Sequence, residues 1–81
     1  MTQILVVDDV PAMAEQYAYD LKRVGKYDAI VAAGGDEALD ILAREPIDCV
    51  VLDLEMPGTD GFEVLRRLRQ RGIETPVIVY T

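Results

Sequence analysis

The sequence contains no histidine and a single cysteine, Cys49, and its Lys and Arg residues number 8 against 15 Asp and Glu. Without histidine the chain has no Ser-His-Asp triad, no histidine-ligated zinc and no histidine phosphocarrier of its own. Oxygen ligands remain, and these favour Mg2+, Mn2+ or Ca2+. One cysteine forms no intrachain disulfide, and inside an apolar strand pattern Cys49 reads as a small core residue. The net charge of −7 makes a surface that repels phosphate backbones and anionic lipid. This segment is therefore expected to bind neither nucleic acid nor membrane. No apolar run approaches the roughly 20 residues that span a bilayer, and no basic-then-apolar leader opens the chain. The expected location is the cytoplasm. Repeats, linkers and low-complexity stretches are absent as well, so 81 residues, 51% hydrophobic, make one small globular domain.

What is present alternates. Ile4-Leu5-Val6-Val7 is a continuous apolar run, the pattern of a strand buried on both faces, and it stops at Asp8-Asp9. Pro11 then sits where a first helical turn tolerates it. From Val10 the apolar positions Met13, Ala14, Tyr17, Leu21 and Val24 follow helical spacing, with Gly25 as the expected C-cap. Tyr27 to Ala33 reads as a weaker strand broken by Gly34-Gly35. Asp36 or Gly35 is placed to cap a helix carrying Ala38, Leu39, Ile41 and Leu42, which ends before Pro46. The run Cys49-Val50-Val51-Leu52 then delivers Asp53 to a strand tip, and Met56-Pro57-Gly58 breaks into a loop. Asp60 with Glu63 suggests a capping box. Phe62, Leu65 and Leu68 give that helix its expected buried stripe, and Gly72 ends it. Arg66, Arg67, Arg69 and Arg71 make a basic outer face, for which interaction with the helix dipole is favoured over a binding patch. Pro76-Val77-Ile78-Val79-Tyr80-Thr81 is a last strand. The order βαβαβαβ predicts a parallel sheet with helices on both faces.

Two strands, the first and the third, end in carboxylates. If they are neighbours, Asp8, Asp9 and Asp53 share one pocket. Packed carboxylates repel unless a cation or proton is present, and Mg2+ typically takes one or two carboxylates plus carbonyls, waters and phosphate oxygens. The plainer reading is that acids at strand ends cap the next helix, and Asp8-Asp9 ahead of Pro11 fits it. Asp53 fits it less well, because several residues separate it from the following helix.

The stretches Leu5-Val6-Val7-Asp8-Asp9, Val51 to Gly61 and Pro76 to Thr81 together resemble the receiver domain of two-component response regulators. The string Asp53-x-x-Met56-Pro57-x-x-Asp60-Gly61 is the most specific part, and the resemblance runs through the whole chain in order. It implies an open parallel sheet of flavodoxin-like type, with strand order 2-1-3-4 here. It implies that Asp53 is the phosphoacceptor, taking a phosphoryl group from a partner histidine kinase. Asp8 and Asp9 would bind the metal, Mg2+ or possible Mn2+, with Asp53, and Glu55 would offer its backbone carbonyl. Thr81 matches the hydroxyl that senses the phosphate. Met56 and Pro57 shape the loop, and Gly61 is a close-packing position at a helix start.

The family's domain has five βα units. On that resemblance, residues 1–81 are expected to form a receiver fragment without the fourth helix, fifth strand and fifth helix, and so without the lysine that pairs with the phosphate. The expected consequence is a domain impaired in switching. No enzymatic activity beyond its own phosphorylation and dephosphorylation is expected. A second reading is a self-association module, a homodimer or higher oligomer formed through the exposed strand at residues 76–81, with the acidic pocket idle. A third is a Mg2+-dependent phosphohydrolase with an aspartate nucleophile. Such enzymes usually carry an Asp two residues after the first, where this chain has Glu55.

Overall fold

Ile4, Leu5, Val6 and Val7 are all buried, and alternate side chains point to opposite sides of the strand they form. In the computed structural model, which describes residues 2–54, 56 and 61–80, this strand is β1, Gln3–Val7. It is followed by α1 (Pro11–Gly25), β2 (Asp28–Ala32), α2 (Gly35–Arg44), β3 (Cys49–Asp53), α3 (Gly61–Gln70) and β4 (Val77–Tyr80). The four strands form one parallel sheet in the order β2-β1-β3-β4. Parallel neighbours need a crossover, and the helices supply it on both faces. Leu5, Val7, Val50 and Leu52 pack with Leu39, Ile41, Val64 and Leu68 of α2 and α3. Ile4 and Val6 pack on the other face with Ala14 of α1, flanked by Tyr17 and Leu21.

Pro11 opens α1 as expected, but the buried stripe is narrower than the spacing implied. Ala14 and Ala18 lie against the sheet, while Met13 and Val24 are exposed. With about 100° of turn per residue, Met13 and Val24 lie roughly 80–100° round the helix from Ala14, at the edge of the inward face. The cap is also displaced. Lys26, not Gly25, takes the left-handed conformation at φ 58°. Gly25 is instead a matter of space, since a Cβ there would sit 2.4 Å from the Tyr27 ring.

At α2 the N-cap is Gly34, rather than Gly35 or Asp36, and it makes no side-chain cap bond. Glu37 partly replaces such a bond by accepting the Ala33 N–H at 3.2 Å. In α3 the inward face is Gly61, Val64 and Leu68, with Leu65 half-buried and Phe62 exposed. A residue one place along a helix is turned by about 100°, so fixing Gly61 inward carries Phe62 out. Asp60 of the expected capping box lies outside the described residues.

The α3 arginines bond close to home. Arg66 and Arg67 donate to Glu63, Arg67 also reaches Asp36 of α2 at 3.3 Å, and Arg69 donates to the Ile73 and Thr75 carbonyls. The Arg66 bond foremost holds the Glu63 carboxyl below its usual range. Exposed pairs of this kind are screened by solvent and contribute little to stability. Gly72 does close the helix, at φ 74°.

Candidate functional site

β1 and β3 are adjacent and in register, with Val7 opposite Leu52. The next residue on each strand is a carboxylate, Asp8 and Asp53, and Asp9 follows directly. One oxygen from each of Asp8, Asp9 and Asp53 lies within 4.8 Å of the others. The cluster stands at the carboxyl end of the sheet, where open α/β folds bind ligands. Asp8 is 2% exposed and Asp53 9% exposed, so their mutual repulsion is poorly screened by solvent. The donor set is all oxygen and formally carries three negative charges. That chemistry fits a hard divalent cation such as Mg2+, which needs only part of its shell from protein.

The capping alternative for Asp8 is half right. Its Oδ1 accepts the Val10 N–H at 3.0 Å, holding the turn into α1, while the cap residue itself, Val10, makes no side-chain cap bond. Its other oxygen, Oδ2, accepts from the Tyr80 hydroxyl at 2.7 Å. Tyr80 ends β4 opposite Asp53, and its ring meets Tyr17 edge-on at 5.2 Å. Burial first, then the Asp8 hydrogen bond and the charges of Asp8 and Asp53, push the Tyr80 pKa far up, so the phenol remains a donor. In the sequence Tyr80 reads only as a residue of the last strand. The available signal was a phenol at a strand tip, since a buried tyrosine hydroxyl usually finds a partner.

Met56, 6% exposed, joins the core beneath the site. Gly61 begins α3 so close to β3 that a Cβ would stand 2.7 Å from the Asp53 carbonyl oxygen. Glu55, Pro57 and Thr81 lie outside the described residues. Among the described residues β4 has a neighbour on one side only, and Ile78 and Val79 are 60% and 45% exposed. No helix among the described residues is long and apolar enough to cross a membrane.

The sequence matches the family model of the response regulator receiver domain over residues 4–81. Over 79 residues it is 42% identical to the alkaline phosphatase synthesis transcriptional regulatory protein PhoP of Bacillus subtilis, covering 98% of this chain and 32% of PhoP. It is 46% identical over 79 residues to the response regulator MprA of Mycolicibacterium vanbaalenii, covering 98% of this chain and 34% of MprA. The chain therefore spans about a third of the length of these curated relatives. The N-terminal domain of a response regulator receiver protein from Methanoculleus marisnigri JR1 matches with a TM-score of 0.94 at 37% identity, over 100% of this chain and 67% of that one. The response regulator protein TrrA from Thermotoga maritima, solved in complex with Mg(2+)-BeF, matches with a TM-score of 0.88 at 38% identity, over 98% of this chain and 68% of that one. On a family match through nearly all of its length, this chain belongs to the response regulator receiver domain family.

Proposed function

We propose that Asp53 accepts a phosphoryl group from the phosphohistidine of a partner histidine kinase, at a site where Asp8, Asp9 and Asp53 hold Mg2+ or, in its place, Mn2+. The observation that carries this reading is the convergence of three carboxylates from two adjacent strand tips within 4.8 Å. An Asp53 oxygen forms the new O–P bond as the P–N bond to the imidazole breaks, and the leaving nitrogen keeps the electron pair. Phosphoryl transfer asks mainly for positioning and charge neutralisation. The β3 tip would supply the first. A bound cation would supply the second by offsetting the charge gathered on the acids and the phosphoryl oxygens.

The remaining roles follow the same reading. Glu55 would offer its backbone carbonyl to the ion, Thr81 would bond a phosphoryl oxygen, and Met56, Pro57 and Gly61 would shape the loop that follows β3. The chain acts as a signalling acceptor in the cytoplasm rather than as an enzyme with a separate substrate. Incubation with a small phosphodonor and Mg2+ tests this by intact mass. One phosphoryl group should be gained by the chain and none by the Asp53→Asn variant. Equal modification of both would overturn the assignment.

A specific observation also favours self-association of the 81-residue polypeptide taken by itself. The Pro76 carbonyl accepts from Val50 of β3 and the Tyr80 carbonyl from Leu54, the residue after β3. Alternate residues of a parallel strand bond to the same neighbour, so the N–H groups of Val77 and Val79 face away from the sheet. An apolar edge of this kind is a template for another strand. A homodimer or higher oligomer through residues 76–81 is the arrangement proposed.

A further inference from the structure

Both oxygens of the Asp8 carboxylate are already engaged, each by one donor from a different part of the fold. Oδ1 is held by the Val10 N–H at 3.0 Å and Oδ2 by the Tyr80 hydroxyl at 2.7 Å. Two donors at opposite ends fix the plane of a carboxylate that one donor would leave free to rotate. Each oxygen keeps a second lone pair, and one of them faces the Asp9 and Asp53 oxygens within 4.8 Å. Tyr80 is itself held in place. Its backbone carbonyl accepts the Leu54 N–H at 2.9 Å, and its ring packs edge-on against Tyr17 of α1 at 5.2 Å and 67°. The hydroxyl thus links β4 and α1 to an acid at the end of β1.

We propose that Tyr80 is a positioning residue of the acidic cluster, its hydroxyl orienting Asp8 for a divalent cation and its ring reporting occupancy of the site. This rests on the reading that Asp8, Asp9 and Asp53 take such an ion. A partner that bonds a ligand from behind typically changes metal affinity by about 10–100-fold when it is removed. A cation drawing electron density from Asp8 weakens its acceptance of the phenol O–H, which changes the ultraviolet absorption of Tyr80. Among the described residues the Asp8 carboxylate is bonded by Val10 and Tyr80, and Tyr17, Tyr19 and Tyr27, the other three tyrosines, are not its donors. Their spectra are therefore expected to stay constant.

The test is a Mg2+ titration of the wild type, Tyr80→Phe and Tyr17→Phe, followed by calorimetry and by tyrosine difference absorption. Tyr80→Phe retains the ring and its packing, so its fold, checked by circular dichroism, should persist. Wild type and Tyr17→Phe should show a saturable tyrosine difference signal. Tyr80→Phe should bind about tenfold more weakly and lose that signal. Equal Mg2+ affinity in wild type and Tyr80→Phe, with no tyrosine signal in either, would overturn the Tyr80 role and leave the acidic site standing. Absence of Mg2+ binding by the wild type would instead overturn the metal reading beneath it. Should Tyr80→Phe fail to fold, the Tyr17→Phe titration decides: a signal supports the role and a flat spectrum overturns it.

Discussion

Gly61 stands against Asp53 with no room for a side chain: a Cβ would lie 2.7 Å from the Asp53 carbonyl oxygen and 2.6 Å from the neighbouring Leu54 Cα. Both contacts are backbone, so neither gives way by a rotamer change. Forcing such a contact costs about 1–3 kcal/mol. Gly61→Ala is therefore expected to lower stability by that amount in denaturant unfolding, despite the higher helix propensity of alanine. It should also weaken Mg2+ binding, because the strain falls on the residue that carries the carboxylate. Unchanged stability would show that α3 can retreat from β3 freely.

The acidic cluster predicts opposite effects of one substitution in two conditions. Asp9→Asn removes a like charge from a set held within 4.8 Å, so without divalent ion it should raise the thermal midpoint. In Mg2+ the same variant should bind at least about tenfold more weakly, which is about 1.4 kcal/mol. Asp36→Asn, on the exposed start of α2, should do neither. Saturating Mg2+ at a hundred times the dissociation constant should stabilise the wild type by about 2.7 kcal/mol. Parallel behaviour of the two variants would remove the pocket.

Much of this was legible in the chain because strands and their tips are local facts. Ile4 to Val7 and Cys49 to Leu52 are short apolar runs that end in acids, and the strand order followed from family resemblance. Helix phase was less legible. Phe62 is exposed because the close seat of Gly61 sets the rotation of α3, a tertiary contact that spacing does not encode. Val24 and Met13 are exposed because α1 turns Ala14 and Ala18 inward, which leaves both at the edge of its buried face. Lys26 takes the left-handed region, which spacing does not signal because the adjacent glycine is the ordinary residue for that conformation. The Tyr80–Asp8 bond spans 72 residues, a separation no local pattern reports.

Cys49 offers a pH prediction. Burial foremost raises its thiol above the ordinary 9.0, opposed by a weaker bond to the Val50 carbonyl. The fold thus favours the neutral thiol. That preference is fully present below the unfolded value and is lost as pH rises through the folded one. Alkylation of native Cys49 should be slower than that of the unfolded chain at pH 8, and stability should decline as pH rises above 9.0. Cys49→Ala should flatten that alkaline decline. Equal alkylation rates for native and unfolded chain at pH 8 would contradict it.

The edge of β4 makes the self-association testable. Val79→Pro removes an outward N–H and adds bulk without touching the bonds to β3. Light scattering at high concentration should show dimers or larger species for the 81-residue polypeptide, and a shift toward monomer for the variant. A monodisperse wild-type monomer would sink the proposal.

An acyl phosphate is reduced by borohydride to an alcohol, so a phosphorylated aspartate becomes homoserine and can be located by peptide mass mapping. After treatment with a small phosphodonor and Mg2+, homoserine should be found at position 53 alone, and it should vanish when the ion is chelated. Homoserine at position 8 or 9 with Asp53 intact would contradict the assignment of Asp53 as the phosphoacceptor.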